Sequence, residues 1–374
     1  MKEKNKTSGK YRKWILNTVF AVFVGLIAVY AVLGQILLPQ QTVREEIEAG
    51  VLPVQWSRVL ADGTRVPVEL PGRVEAAAGE TVVIEAQLPQ ELYDWNWISL
   101  DSLHQEIEIY IDGELREEFS TLDTMPFGKY SSSAYVFAEI SREDAGKPIQ
   151  VMWTTGSRFT GMLSKVYYGA RIELWSQYFR MNVIQVGMAL FLLLFSIIAI
   201  ALGISMNRSF KKQFALEYLG WGILLMAVWM LCESRLRQLF FDNISAVSDV
   251  AFLATGLIPY PFAEYFDRIQ KGRYRRYYQA VKVACLIVFF ICVILHVGHV
   301  ADFSDSMVLM HLMIFAMLFT AGITMILDIL HKRLRDYLLV FIGYIGLLAA
   351  TVYEIIGIYR AENHSRVLVV ASFF

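Results

Sequence analysis

Any chemistry inside so apolar a chain rests on the few ionisable side chains that interrupt its long hydrophobic runs: Glu217, Asp249, Glu264, Lys282, His296, His311, Asp328 and Glu354. A charged group is costly within a bilayer, so such residues mark ion or proton pathways, or else hydrogen-bond neighbouring helices. Most fall near the ends of their runs; His311 and Glu354 read as the deeper ones and are the candidates for intramembrane coupling. A transporter site would also call for more mid-membrane carboxylates and for broken helices in two matching halves. The only prolines after Pro148 are Pro259 and Pro261, within one run. Recognition is the second candidate chemistry. Tyr93-Asp94-Trp95-Asn96-Trp97, with His104 and Gln105 a few residues on, combines aromatic faces with polar tips, as a sugar-like or other small polar ligand requires. Tyr93, Trp95, Trp97 and His104 are the candidate ligand-binding residues. The competing reading is a packed β core, since alternation places Trp95 and Trp97 on one face of a strand.

Catalytic constellations are missing. No Ser or Cys nucleophile stands in a motif, no carboxylates are paired, and no His–carboxylate or metal-type Cys/His spacing occurs. Gly220-Trp221-Gly222 has no Gly-Lys-Ser/Thr after it, so it reads as close helix contact and not as a phosphate loop. Cys232, Cys285 and Cys292 lie in or beside apolar runs and read as small packing residues. A net charge of −1 supplies no field for nucleic acid. The chain as given is therefore expected to be no enzyme and to hold no cofactor or metal.

The elements that must position these residues follow from texture. The chain is 56% hydrophobic with a mean hydropathy of +0.45, too apolar for soluble domains of this length. Six basic residues among the first thirteen precede an apolar run from Trp14 to Leu38, long enough to cross a membrane and without a clean cleavage site, hence an uncleaved anchor at 14–38 behind a cytoplasmic tail at 1–13. From Gln40 to Tyr178 short β-prone runs alternate with Gly, Pro and Asp-Gly, which predicts a β-sandwich. Glu106–Ile111 is the clearest strand, and Asp112-Gly113 suits a tight hairpin into Glu114–Phe119. Asp62-Gly63 predicts another between runs at 56–60 and 66–70. Further strands are expected at 81–86, 134–140, 149–154 and 163–174.

Beyond Arg180 seven apolar blocks are separated by charged links: 183–204, 214–231, 247–265, 280–300, 307–330, 337–359, and a last one from Val367 to Phe374. Eight residues at about 1.5 Å each cannot cross a bilayer, so the last helix is expected to be incomplete. With the N-terminus inside, Arg208, Lys211, Lys212, then Arg268, Lys271, Arg273, Arg275, Arg276, then Lys332, Arg333 and Arg335 lie on the cytoplasmic side. The opposite links hold only Arg235, Arg237, Arg360 and Arg366. The basic link from Arg268 to Arg276 also suits anionic headgroups or a cytoplasmic domain. Trp175, Tyr178 and Phe179 sit where an interfacial aromatic belt would join sandwich to bundle.

Leu70-Pro71-Gly72, Leu88-Pro89, Leu103-His104-Gln105 leading into Tyr110-Ile111-Asp112-Gly113, then Leu219-Gly220-Trp221 and Trp229-Met230-Leu231-Cys232-Glu233-Ser234, resemble bacterial seven-transmembrane receptors with diverse intracellular signalling modules. The resemblance runs from about Val54 to Phe374. It implies a galactose-binding-like jelly roll outside the plasma membrane that senses a small-molecule or carbohydrate-like ligand, an all-α seven-helix transducer, and a cytoplasmic signalling partner. In similar chains that output is often a GGDEF-type diguanylate cyclase, sometimes a histidine kinase, and neither is in this sequence. The expected function is a sensor of an outer ligand or of envelope state; the alternative is a multi-pass transporter or channel with an accessory outer domain. The ligand's identity and the pairing of two copies into a homodimer are left open.

Overall fold

The computed structural model describes residues 49–210 and 214–360, with the backbone alone at positions 334, 336, 350 and 353–360. The expected cytoplasmic tail, the anchor at 14–38 and the block from Val367 to Phe374 lie outside the described residues. Twelve strands come first among them: β1 (Gly50–Val51), β2 (Trp56–Val59), β3 (Arg65–Val68), β4 (Gly72–Arg73), β5 (Val82–Gln87), β6 (Asn96–Asp101), β7 (Glu106–Ile111), β8 (Glu114–Phe119), β9 (Tyr135–Glu139), β10 (Pro148–Thr154), β11 (Met162–Leu163) and β12 (Tyr167–Ala170). They build a six-stranded sheet, β3-β2-β5-β10-β7-β8, and a four-stranded one, β1-β12-β6-β9, with β4 and β11 as a separate pair. Every pairing is antiparallel.

Alternation drives the core. Ile107, Ile109 and Ile111 of β7 and Ile149, Val151 and Trp153 of β10 turn inward from the large sheet. Ile98 and Leu100 of β6 and Val136 and Ala138 of β9 meet them from the small one. At the β7–β8 hairpin both Asp112 (φ +53°) and Gly113 (φ +80°) are left-handed, as a two-residue turn between paired Ile111 and Glu114 demands. Asp62-Gly63 closes a wider turn, because the β2–β3 ladder stops at Val59 and Arg65 and Thr64 binds the Asp62 carboxylate instead.

One strand was not expected, and one expectation needs correction. Residues 96–101 form a strand at the middle of the small sheet, paired on one side with β9 and on the other with β12. The expected strand at 163–174 is two pieces in different sheets, β11 ending at Leu163 and β12 ending at Ala170, whose amide donates to Glu173 Oε2 at 2.7 Å and so starts a helix at Arg171.

Seven helices follow: α1 (Arg171–Phe210), α2 (Leu216–Glu233), α3 (Ile244–Leu257), α4 (Pro259–Ile269), α5 (Arg275–Val297), α6 (Phe303–Leu330) and α7 (Leu338–Arg360). Pro259 lacks the amide that would continue α3, so one apolar block becomes two helices in line. Counting those two as one, five segments are long and apolar enough to cross a membrane: α1, α2, Ile244–Ile269, α5 and α6. The sixth expected block coincides with α7, whose apolar part is the shorter Leu338–Ala349.

Small residues bring the helices together. A Cβ on Gly220 of α2 would stand 2.7 Å from Ile200 Cγ1 of α1, and one on Gly222 would stand 2.8 Å from the Phe262 ring of α4. With 40 residues, α1 is about 60 Å long, twice the hydrocarbon thickness. Its first three turns lie against the small sheet, so that sheet is covered on both faces: by the large sheet on one, by α1 on the other. At the far end Asp328 of α6, fully buried, accepts from Arg273 Nη2 at 2.5 Å, Tyr337 at 2.5 Å and Tyr274 at 3.1 Å. That carboxylate ties the α4–α5 link to the α6–α7 link.

Candidate functional site

Polar side chains converge at the joint where the sandwich meets the helix heads. Three separate connections form it.

The first is centred on Asp302, the residue before α6. Its Oδ1 accepts from the Phe303 amide at 3.1 Å, while Asp305 accepts from the Asp302 amide at 3.1 Å, a reciprocal cap on α6. Its Oδ2 reaches out of the bundle and accepts from the amides of Lys129 and Tyr130, both at 3.0 Å, in the β8–β9 loop. His296, on the last turn of α5 and 2% exposed, lies between two carboxylates. Its Nδ1 is 2.7 Å from Asp302 Oδ1, out of line for a straight hydrogen bond, and its Nε2 is 3.5 Å from Asp249 Oδ1 of α3. The ring stacks on Phe303 at 3.9 Å. Lys129 Nζ donates to the Val300 carbonyl at 2.7 Å, and His299 Nδ1 donates to Gly128 O at 2.9 Å. Gly128 is required twice over: its φ is +93°, and a Cβ would stand 2.8 Å from His296 Cε1 and 3.0 Å from Asp302 Oδ1. Burial alone would raise the Asp302 carboxyl, but the His296 contact and the two loop amides hold it below the usual carboxylate range.

The second connection is the link between α2 and α3. Arg235 Nε sits 3.3 Å from both Asp101 oxygens at the end of β6, and Nη1 is 3.8 Å from Glu233. Arg237, 3% exposed, donates to the Cys232 carbonyl at the end of α2 and to Ser133 O at 3.0 Å. Burial, then neighbouring Arg235, pushes the Arg237 guanidinium down to about 10. Gln238 pairs with the edge strand β9 as another strand would: Tyr135 N donates to its Oε1 at 2.8 Å and its Nε2 donates to Tyr135 O at 3.2 Å.

The third connection is α1 itself. Tyr178, 2% exposed, stacks on Tyr135 at 3.6 Å and donates to Ser99 Oγ at 3.0 Å; Asn182 donates to Tyr135 Oη at 3.0 Å. Trp175 stacks on Phe137 at 4.9 Å, and Arg171 lies over the Trp97 ring at 4.7 Å. Of the residues expected in an interfacial belt, Tyr178 belongs to this joint, while Phe179 is exposed on α1.

The four residues singled out for ligand binding do not converge. Tyr93 and Trp95 stack face to face at 5.0 Å, 5° from parallel, and both are exposed ahead of β6, so Trp95 shares no strand face with Trp97. Trp97 is half-buried against α1. His104 lies past the other end of β6, in a turn where Leu103 (φ +51°) and His104 (φ +60°) are both left-handed. Its amide donates to Ser133 Oγ at 2.9 Å and its ring stacks on Phe159 at 5.0 Å, with Phe252 of α3 at 6.4 Å. Burial, then Arg235, pushes the His104 imidazole down to about 4, so it is neutral at pH 7. His311 is buried in the third turn of α6, on the sandwich side of that helix's midpoint. Glu354 falls on α7, and its side chain lies outside the described residues.

No group of His, Cys, Asp or Glu among the described residues is arranged to hold a metal ion. Searches against protein-family models, curated proteins and solved structures found no match.

Proposed function

We propose that the chain is the input and transmission part of a membrane sensor. The sandwich receives an extracytoplasmic stimulus, and the joint converts it into movement of helix ends. The observation that carries this reading is the number of grips: α1, the α2–α3 link and the α5–α6 link each hold the small sheet or the β8–β9 loop through buried or part-buried hydrogen bonds. A shift in the sandwich thereby displaces several helix heads together, as a two-state transmitter requires. An accessory domain on a transporter has no need of such ties.

Charge supports placing the sandwich outside. The far end of the bundle presents exposed Lys271, Arg275, Arg276, Lys332, Arg333 and Arg335. At the sandwich end Arg235 and Arg237 turn inward onto Asp101, Ser133 and Cys232. The bias in exposed positive charge is thus steeper than residue counts suggest. The exposed Tyr93–Trp95 pair offers a flat platform for a sugar-like ligand, in keeping with a jelly roll of galactose-binding type. Output then passes from the far end to a cytoplasmic signalling domain or protein, of cyclase or kinase type in the receptors that the sequence resembles.

The test is transmission along the bundle. The chain carrying Asp101→Ala and Asp302→Ala is placed in lipid nanodiscs and hydrogen exchange is followed in the far-end links at 270–274 and 333–337. Altered exchange there, with the sandwich still folded, supports the reading. Unchanged exchange at the far end while the joint opens refutes it.

A further inference from the structure

The sandwich does not stand clear of the bundle; one of its loops lies level with the ends of the apolar helices. Asn243 Nδ2, just before α3, donates to Thr124 O at 3.2 Å on one side of the β8–β9 loop. On the other side Lys129 Nζ holds Val300 O, between α5 and α6. Both flanking links run from the last residue of one apolar helix to the first of the next, Glu233 to Ile244 and Val297 to Phe303. If the helices span, those links lie at the headgroup level of the leaflet on the sandwich side.

These segments expose large apolar side chains there, interspersed with the charged Asp123, Lys129 and Asp242 that suit a headgroup layer. Phe240 is 77% exposed, Phe241 53% and Leu239 50%, in the α2–α3 link. Leu122 and Phe127 of the sandwich loop are 38% and 41% exposed, beside a link that ends in Asn243. Water-facing links between helices have no reason to display Leu-Phe-Phe, and polar residues able to hold this loop were available: Asn243 and Lys129 do so. The helices that these links join expose apolar side chains of their own, Val250 on α3 and Val297 on α5 among them.

We propose that the β8–β9 loop is seated in the bilayer interface through Leu122 and Phe127, alongside Leu239, Phe240 and Phe241, so that the sandwich's partner at this surface is the lipid of its own membrane. The inference rests on the spans being spans, and it adds a lipid-facing element to the sensor reading. The loop that inserts is the loop that Asp302 clamps. Lipid packing in that leaflet therefore bears on the same joint as a ligand would.

The test uses nitroxide labels on single introduced cysteines in nanodiscs, with Cys232→Ser to remove the one native thiol that is not buried. Labels go at Phe127→Cys and Phe240→Cys, with Ile197→Cys on the exposed face of α1 as lipid reference and Leu115→Cys on β8 as aqueous reference. Accessibility to oxygen relative to a water-soluble nickel chelate is expected to be several-fold higher at 127 and 240 than at 115. If 127 matches 115 while 197 reports lipid, insertion of the loop is wrong and the spans stand. If 197 also reports water, the membrane reading beneath the proposal fails. Leu122→Cys serves as the second loop position should the Phe127 variant not fold.

Discussion

Replacing Asp302 by Ala removes an acceptor shared by two parts of the molecule. The amides of Lys129 and Tyr130, both at 3.0 Å, lose their partner, and Phe303 loses its cap. A fully buried donor left without an acceptor costs about 1–3 kcal/mol, the lower end applying to these part-buried amides, and a lost helix cap costs about 1 kcal/mol. His296 keeps only Asp249, at 3.5 Å. Water reaching the exposed side of the loop offsets part of this, so the lower end, ~3 kcal/mol, is expected for opening the loop. Each 1.4 kcal/mol is tenfold, hence hydrogen exchange in a peptide covering 126–133 should accelerate roughly a hundredfold. Exchange in β10, at the middle of the large sheet, should stay as in the parent chain. Asp302→Asn, which keeps an acceptor oxygen and loses the charge, should fall between. An acceleration below about threefold would refute the clamp, and equal acceleration in β10 would show that the whole sandwich depends on Asp302 and not the loop alone.

The other expectations concern the same joint and the helix contacts beneath it. His104 is held neutral with its imidazole pushed down to about 4, so its contribution is present above the ordinary value near 6.5 and is lost as pH falls from there towards 4. Thermal unfolding across pH 4–7 should show this loss, at most ~3 kcal/mol, and His104→Asn should flatten it. Gly128→Ala must adopt φ +93° and press on His296, so it should destabilise the loop by at least about 1 kcal/mol, read by the same exchange peptide. Gly220→Val would drive a side chain into Ile200, and overpacking of this kind costs about 1–3 kcal/mol; a lowered unfolding midpoint in detergent checks it.

Much of the architecture was legible because one physical contrast dominated each part. Glu106–Ile111 alternates because one face meets the core and the other meets water, and the structure gives it the pattern of a half-buried strand. The apolar blocks stood out because their outer surfaces have no polar face to show. β6 was missed for the opposite reason: Ile98 and Leu100 face the core while Trp97, Ser99 and Asp101 face α1 and the α2–α3 link, so neither side carries the mark of solvent. The start of α1 was hidden by β-prone Tyr167–Tyr168 and by Glu173, whose capping of Ala170 is a local signal weaker than the run around it.

The joint was less legible still. Lys129 and Asp302 are 173 residues apart, and nothing in the spacing of either points to the other. Asp302 followed by Asp305 is a helix-start signature, but the apolar run begins only at 307, and the signature in any case does not say what else the carboxylate would hold. His296 was among the ionisable residues noted in apolar runs, yet its depth along the helix drew less weight than that of His311. Partnership, which only the folded chain displays, sets it apart: two carboxylates and a glycine made necessary by its ring.

A distance measurement tests most directly whether sandwich and bundle move as one body. Spin labels at Leu115→Cys on β8 and Lys332→Cys at the far end, in the Cys232→Ser chain in nanodiscs, should give a single narrow distance distribution. Adding Asp101→Ala and Asp302→Ala should broaden or shift it while both parts stay folded. A broad distribution in the parent chain, unmoved by those substitutions, would mean that the sandwich hangs freely from the helices and that no signal can pass through the joint described.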